Sequence, residues 1–476
     1  MLFNSVSFLL FFPLCLVIYF ILYKRKTYQN IFLLLSSYYF YACFEPRYLL
    51  LLLLITIISY CGGILIHKAS DNRKKTNLII TILLIIAPLI FYKYLNFFNQ
   101  MMFDLLSLLG ISMKVNLIKL LLPVGISFYT FQAISYVVDV YKNKVDIEYK
   151  YLDYSLFLGF FPQIASGPIG RAPSLLPQIK TVRIFNYENL KKGFNFLIWG
   201  YFIKLVIADR GAIYADTVFS NYTAYSGSSL LLATFIYSIQ IYCDFAGYSL
   251  MALGTAKIMG FDLINNFQRP YLAFSTSDFW RRWHISLSTW FRDYIYIPLG
   301  GNRVSKSRHK LNILITFLAS GIWHGAAYNF IIWGGLHGVY QIIGKATEEK
   351  QNKVLSALRI KEDTFLFKLI HILITFLFIG YGWMIFRTNN IEDIWGITKG
   401  YFKSGPLYMH ISTLVFFFLG FIILMAKNIK DEYFGKYKLM TTSEHIIIRY
   451  TCLLLLIIII LLTGVLDNSQ FIYFAF

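Results

Sequence analysis

Long apolar runs recur from one end of the chain to the other, each closed by a short polar or basic stretch. A helix needs about 20 predominantly apolar residues to cross the hydrocarbon of a bilayer, and these runs are near that length. The first, Leu2 to Tyr23, has neither a basic start nor a small-residue cleavage site and is too long for a signal peptide, so it reads as a retained helix. Further segments fall at roughly 29–43, 47–66, 77–95, 120–138, 151–166, 191–208, 229–256, 311–344, 365–386, 409–426 and 446–466. The pattern predicts an all-α, polytopic membrane protein of about twelve transmembrane or re-entrant helices.

Positive charge in short loops sets the direction of crossing. Lys24-Arg25-Lys26 follows the first run, the nearly neutral Phe44-Glu45-Pro46-Arg47 turn follows the second, and His67, Lys68, Arg73, Lys74 and Lys75 follow the third. This alternation predicts an external N-terminus. Lys427, Lys430, Lys436, Lys438 and Arg449 precede the last run and Asp467 follows it, which predicts an external C-terminus as well.

Composition narrows the class further. Of 476 residues, 57% are hydrophobic and 14% charged, with a mean hydropathy of +0.59, more apolar surface than a soluble core can hold. The net charge of +20 would suggest nucleic acid in a soluble domain. Here it reports basic loops and anionic headgroups. Cys15, Cys43, Cys61, Cys243 and Cys452 lie mostly in apolar runs without paired metal spacing, so neither a disulfide framework nor a metal site is expected.

Ionisable groups inside apolar segments are costly and therefore candidates for function. His324 interrupts the charge-free stretch between Lys310 and Lys345, where an imidazole can serve as a general base or simply hydrogen-bond between helices. Gly321, Gly325, Gly334 and Gly335 around it permit close approach of a substrate or a neighbouring helix. His337, 13 residues on, falls on nearly the opposite face of a straight helix, so the two share a site only if the helix breaks, for instance at Gly334-Gly335. His284 sits in an aromatic and basic segment with Arg281, Arg282, Trp283, Arg292 and Arg303, readable as an interfacial helix on anionic lipid or as a funnel for a phosphorylated donor. Asp244 needs a partner, for which nearby arginines are candidates. Residues 123–127 and 163–171 look like broken helices lining a cavity. Neither has P-loop spacing, and no Gly-x-Ser-x-Gly elbow or His-Glu-x-x-His zinc motif occurs.

Five strings then acquire a common meaning: LPVGISFYTFQAISYVVDVY (122–141), FFPQIASGPIGR (160–171), YCDFAGYS (242–249), RRWHISLSTWFRDYIYIPLGGNR (281–303) and WHGAAYNFIIWGGLHG (323–338). In this order they resemble the membrane-bound O-acyltransferase family, in the bacterial branch that includes alginate O-acetylation and peptidoglycan O-acetyltransferase proteins. The resemblance implies a single membrane-embedded domain forming a ring of helices around a central tunnel. Its parts would be N-terminal helices (1–115), a catalytic core (116–345) with a cytoplasm-facing segment (281–303), C-terminal helices (346–470) and a periplasmic aromatic tail (471–476). It implies catalytic roles for His324 and His284, acetyl-CoA as cytoplasmic donor with no metal, and Arg281, Arg282, Trp283, Arg292 and Arg303 as the donor-binding set.

The tail ending in Tyr473-Phe474-Ala475-Phe476 suits an aromatic belt at the interface. It also resembles the carboxy-terminal motif of acetylating relatives, which implies Tyr473 as an acyl relay. A periplasmic acetyltransferase or esterase would then take the acetyl group and pass it to a polysaccharide of the cell surface. Peptidoglycan is the expected acceptor because the wall is the more widespread polymer, with alginate or another exopolysaccharide as the alternative. D-alanylation of teichoic acid fits less well, since that branch keeps its acceptor tail on a separate peptide. A polysaccharide or lipid-linked glycan transporter is the competing class, against which the ordered strings and the lack of an internal repeat both speak. The location implied is the bacterial inner membrane.

Overall fold

The computed structural model describes residues 1–110, 121–165, 167–357, 364–435, 445–465 and 472. Among these every regular element is helical and there is no strand, as the apolar pattern predicts. The chain groups into two compact units, Met1–Leu197 with Met251–Ile264, and Ile198–Leu250 with Asn265–Ile472.

The first unit holds α1 (Val6–Ile21), α2 (Lys26–Ala42), α3 (Pro46–Lys68), α4 (Asp71–Leu89), α5 (Leu95–Leu108), α6 (Ile126–Tyr141), α7 (Tyr151–Gly159), α8 (Phe161–Ile164) and α9 (Ala172–Ile179). Buried tyrosines carry much of its core, and two of them show the hydrogen bonding that burial favours. Tyr154 donates to Ser59 at 2.6 Å and Tyr41 to the carbonyl of Val124 at 2.9 Å. The interrupted backbone at 123–127 turns at Gly125 (φ +74°), where a Cβ would come within 2.2 Å of the carbonyl oxygen of Ile164. Gln163 donates to Gln132 of α6, which ties the second broken segment to the helix that follows the first. The space beside Gln163 measures about 10 Å³, room for a single water.

The chain continues through α10 (Tyr187–Tyr201) and a π-helical stretch, Phe202–Ala208, into the second unit. That unit adds α11 (Asp209–Ser220), α12 (Gly227–Ile258, which runs on past Leu250), α13 (Thr276–Arg282), α14 (Ile285–Phe291), α15 (Lys306–His324) and α16 (Tyr328–Ala357). It is completed by α17 (Phe365–Arg387), α18 (Ile391–Gly400), α19 (Ile411–Tyr433) and α20 (Ile446–Thr463). Among the described residues seven helices combine the length and apolarity needed to cross a membrane, at 6–24, 46–68, 71–108, 227–258, 365–387, 411–433 and 446–463. The apolar stretch 311–344 is instead divided between α15 and α16, and the stretches at 120–138 and 151–166 form the shorter α6, α7 and α8.

Candidate active site

The α15–α16 hairpin decides the geometry around His324. Ser305 caps the start of α15 by accepting from the backbone N–H of Arg308, and the helix ends at His324 because Gly325 adopts an extended backbone. A Cβ on Gly325 would overlap the ring of Phe330, so the turn needs a residue without one. The returning α16 packs closely: a Cβ on Gly321 would meet the carbonyl oxygen of Phe330 at 2.2 Å, and one on Gly334 that of Phe317 at 2.5 Å. The glycines thus serve helix–helix contact. The break falls at 325–327, ahead of Gly334-Gly335, and it brings together the two histidines that a straight helix would hold apart. The rings of His324 and His337 both meet Trp333 edge to face, at 5.0 and 4.8 Å.

His324 is 3% exposed and boxed by Trp323 (4.9 Å), Trp333 and Phe386 (5.4 Å). His284 is 1% exposed, with its ring 4.5 Å from Phe245 and 6.1 Å from Trp323. Trp323 therefore stands beside both histidines. His284 also holds a left-handed backbone (φ 41°, ψ 56°), uncommon for a side-chain-bearing residue and of the kind of strain that surrounding structure must enforce at functional sites. The enforcement comes from Asn266: its carbonyl accepts from Ile285 N–H at 2.9 Å, its side-chain oxygen accepts from Ser286 N–H at 3.3 Å, and its amide donates to Ser249.

A cavity of about 1290 Å³ opens beside this box, larger than most small-molecule pockets, which run to about 1,000 Å³. Trp280 lines it, and the same indole touches Trp333 (5.5 Å) and donates its N–H to Nδ1 of His337 at 3.4 Å. Trp280 is thus a wall between the cavity and the histidine box. Three of the expected arginines line the cavity, in different states. Arg282 is bound to Asp278 and Glu432 at 3.0 and 2.9 Å, Arg292 lies 2.9 Å from Asp293 on the surface, and Arg281 is 72% exposed with Asp278 at 3.8 Å. Arg281, Arg292 and Lys345 offer positive charge to the opening, while Arg282 is held as structure. Trp283 is 1% exposed in the core against Trp383 and Phe267, and Arg303 is exposed ahead of α15; neither lines the cavity.

Asp244 has a partner other than the arginines. Lys204 donates to it at 2.5 Å and to Asp209 at 2.7 Å, all three side chains being at most 4% exposed. Lys204 is an ammonium inside the predicted 191–208 segment, where the cost of an ionised group at depth marks it as much as Asp244. Tyr473 and Asp467 lie outside the described residues. Ile472 lies within them, and its backbone N–H donates to Oδ2 of Asp244 at 2.8 Å.

With this geometry in view, comparison with known proteins is decisive. The model of the membrane-bound O-acyltransferase family matches residues 144–381, half the chain, and the match takes in Asp244, His284 and His324. The chain belongs to the membrane-bound O-acyltransferase family. Among curated members, the probable alginate O-acetylase AlgI of Pseudomonas aeruginosa is 38% identical over 66% of this chain and 58% of its own length. The Azotobacter vinelandii protein of that name is 36% identical over 72% of this chain and 68% of its own, and the peptidoglycan O-acetyltransferase of Helicobacter pylori 37% over 60% and 57%. The chain thus matches a little under three-fifths of the length of the Pseudomonas and Helicobacter family members. The family segment ends inside α17, so the tail with Ile472 lies beyond it.

Proposed function

We propose that the chain is an O-acetyltransferase of the bacterial inner membrane, moving acetyl groups from cytoplasmic acetyl-CoA towards a polysaccharide outside. The observation that carries this reading is the pair His324 and His284 meeting at Trp323, one indole wall away from a large cavity with a basic mouth. The cavity's aromatic lining and the charges of Arg281, Arg292 and Lys345 suit a donor with an apolar arm and phosphates.

A phenol ionises near pH 10 and is a poor nucleophile at neutral pH. His324 removes the proton of Tyr473 as its oxygen attacks the thioester carbonyl; the C–S bond breaks, the thiol of CoA departs with a proton, and the acetyl group is left as an aryl ester on Tyr473. His284 polarises the carbonyl or orients the donor. The buried aromatic box keeps water from the thioester. The aryl ester passes its acetyl group to a serine of a periplasmic partner and from there to a sugar hydroxyl. Both termini are periplasmic in this scheme. Peptidoglycan is the proposed acceptor; the names of the Pseudomonas and Azotobacter relatives make alginate or another exopolysaccharide the second reading.

Intact-mass and peptide mass spectrometry after incubation with acetyl-CoA tests the scheme in wild type, His324→Ala and Tyr473→Phe. The expected result is an acetyl adduct on Tyr473 that both variants lose. Acetyl-CoA binding with no tyrosine adduct would refute the relay, and no binding at all would return the transporter reading.

A further inference from the structure

Three hydrogen bonds tie the chain from the last residue of α20 onward to the stretch 204–244. Arg210 donates to the carbonyl of Thr463 at 2.5 Å, Val465 N–H donates to the carbonyl of Leu205 at 3.0 Å, and Ile472 N–H donates to Asp244 at 2.8 Å. Leu205 belongs to the π-helical stretch Phe202–Ala208, and π-helical turns depart from the regular helical ladder and are frequent at functional sites.

Charge arithmetic explains the third contact. One ammonium, Lys204, serves two carboxylates, Asp209 and Asp244, all nearly inaccessible to water. Buried ions are tolerated only when their remaining lone pairs are satisfied by hydrogen bonds. Oδ1 of Asp244 is taken by Lys204, and Oδ2 is taken by an amide 228 residues further along the chain. The donor is a backbone N–H, so Asp244 holds the tail by its main chain, at residue 472. The residue that follows is Tyr473. The residue after Asp244 is Phe245, whose ring lies 4.5 Å from His284, so the anchor and one wall of the candidate active site are consecutive on α12.

We propose that the Lys204–Asp244 pair is a docking site for the chain's own C-terminal segment, gripping it at the Ile472 amide, and that Asp244 is thereby a positioning residue for acylation of Tyr473. The acylation half rests on the function proposed above; the docking half does not.

The test uses the full-length protein and compares Ile472→Pro, which deletes the donor and leaves every buried charge in place, with Ile472→Ala, which keeps it. Asp244→Asn, which removes the charge of the acceptor, is the second arm. Hydrogen exchange of the C-terminal peptide reads docking, and the rate of Tyr473 acetylation against acetyl-CoA concentration reads positioning. A lost hydrogen bond to a charged acceptor should speed exchange about tenfold or more in Ile472→Pro relative to Ile472→Ala. The acetylation rate should fall by about the same factor with KM for acetyl-CoA unchanged. Asp244→Asn should move both readouts the same way. Equal exchange in the proline and alanine variants overturns docking, and faster exchange with unaltered acetylation overturns positioning. Faster exchange in Ile472→Pro, in a protein whose wild type forms no Tyr473 adduct, upholds docking while the relay itself fails.

Discussion

The ring of His284 stands 6.1 Å from the indole of Trp323, the residue that immediately precedes His324. Two histidines 40 positions apart thus meet through one side chain, although one opens α14 and the other closes α15. The proposed mechanism gives them separable roles. Removing a general base typically costs about 10² to 10⁴ in rate, so His324→Ala should lose acetyl transfer by that order. His284→Gln, which retains a hydrogen-bonding group, should lose less. Steady-state acetyl transfer with retained acetyl-CoA binding checks both, and a His324→Ala enzyme of near-normal rate would remove His324 from the chemistry.

The left-handed turn at His284 depends on Asn266, which holds the two backbone amides after it. Asn266→Ala strips the bond from Ser286 N–H and the bond to Ser249, a change worth about 1–3 kcal/mol. Thermal unfolding should shift down by that amount and activity should fall more steeply than stability, because His284 loses its orientation. Equal losses in Asn266→Ala and in a variant of matched instability elsewhere would mean that Asn266 is structural only.

The glycines of the α15–α16 hairpin differ sharply. At Gly321 and Gly334 a Cβ would run into backbone carbonyl oxygens, whereas at Gly335 its nearest neighbour is the end of Leu318 at 3.6 Å. Gly321→Ala and Gly334→Ala should each destabilise by about 1–3 kcal/mol through overpacking, while Gly335→Ala should be tolerated. Detergent thermal shifts on the three variants measure the contrast.

Arg281 and Arg282 are adjacent in sequence and divided by environment. Arg282 and Arg269 share Glu432, at 14% side-chain exposure, whereas Arg281 points outward at the cavity mouth. Arg281→Gln should raise KM for acetyl-CoA, more so at low salt, with folding intact. Arg282→Gln should chiefly lower stability, because it leaves Glu432 short of a partner. A reversal of these two phenotypes would place the donor elsewhere.

What the sequence disclosed follows the physics of the bilayer. Hydrocarbon thickness imposes run length, so the apolar segments were readable, and the cost of an ionisable group at depth picked out His324 and Asp244. Partners were not readable, because Lys204 lies 40 positions from Asp244 and Ile472 lies 228 beyond it; only folding brings them together. The juxtaposition of His324 and His337 was hidden because helical phase assumes a straight helix and the chain breaks at Gly325. Trp283 looks from its basic neighbours like part of the donor site, yet its direction from the backbone sends it into the core, whereas Trp280, three positions earlier, reaches the cavity.

Trp280 separates the cavity from the histidine box, touching Trp333 and His337 on one side and lining the open space on the other. If a thioester is to reach His324, the indole must form the channel's narrowest wall or move aside. Trp280→Ala removes that wall and the hydrogen bond to Nδ1 of His337. Water then reaches His324, the base of the proposed mechanism, which is 3% exposed in the native chain. The expected outcome is uncoupling: acetyl-CoA consumed without matching acetyl on tyrosine or acceptor, as thioester hydrolysis competes with transfer. Parallel assays of free CoA and of acetylated product measure the ratio. An unchanged ratio, with both rates lowered together, would show that Trp280 supports the fold of the box and does not guard it.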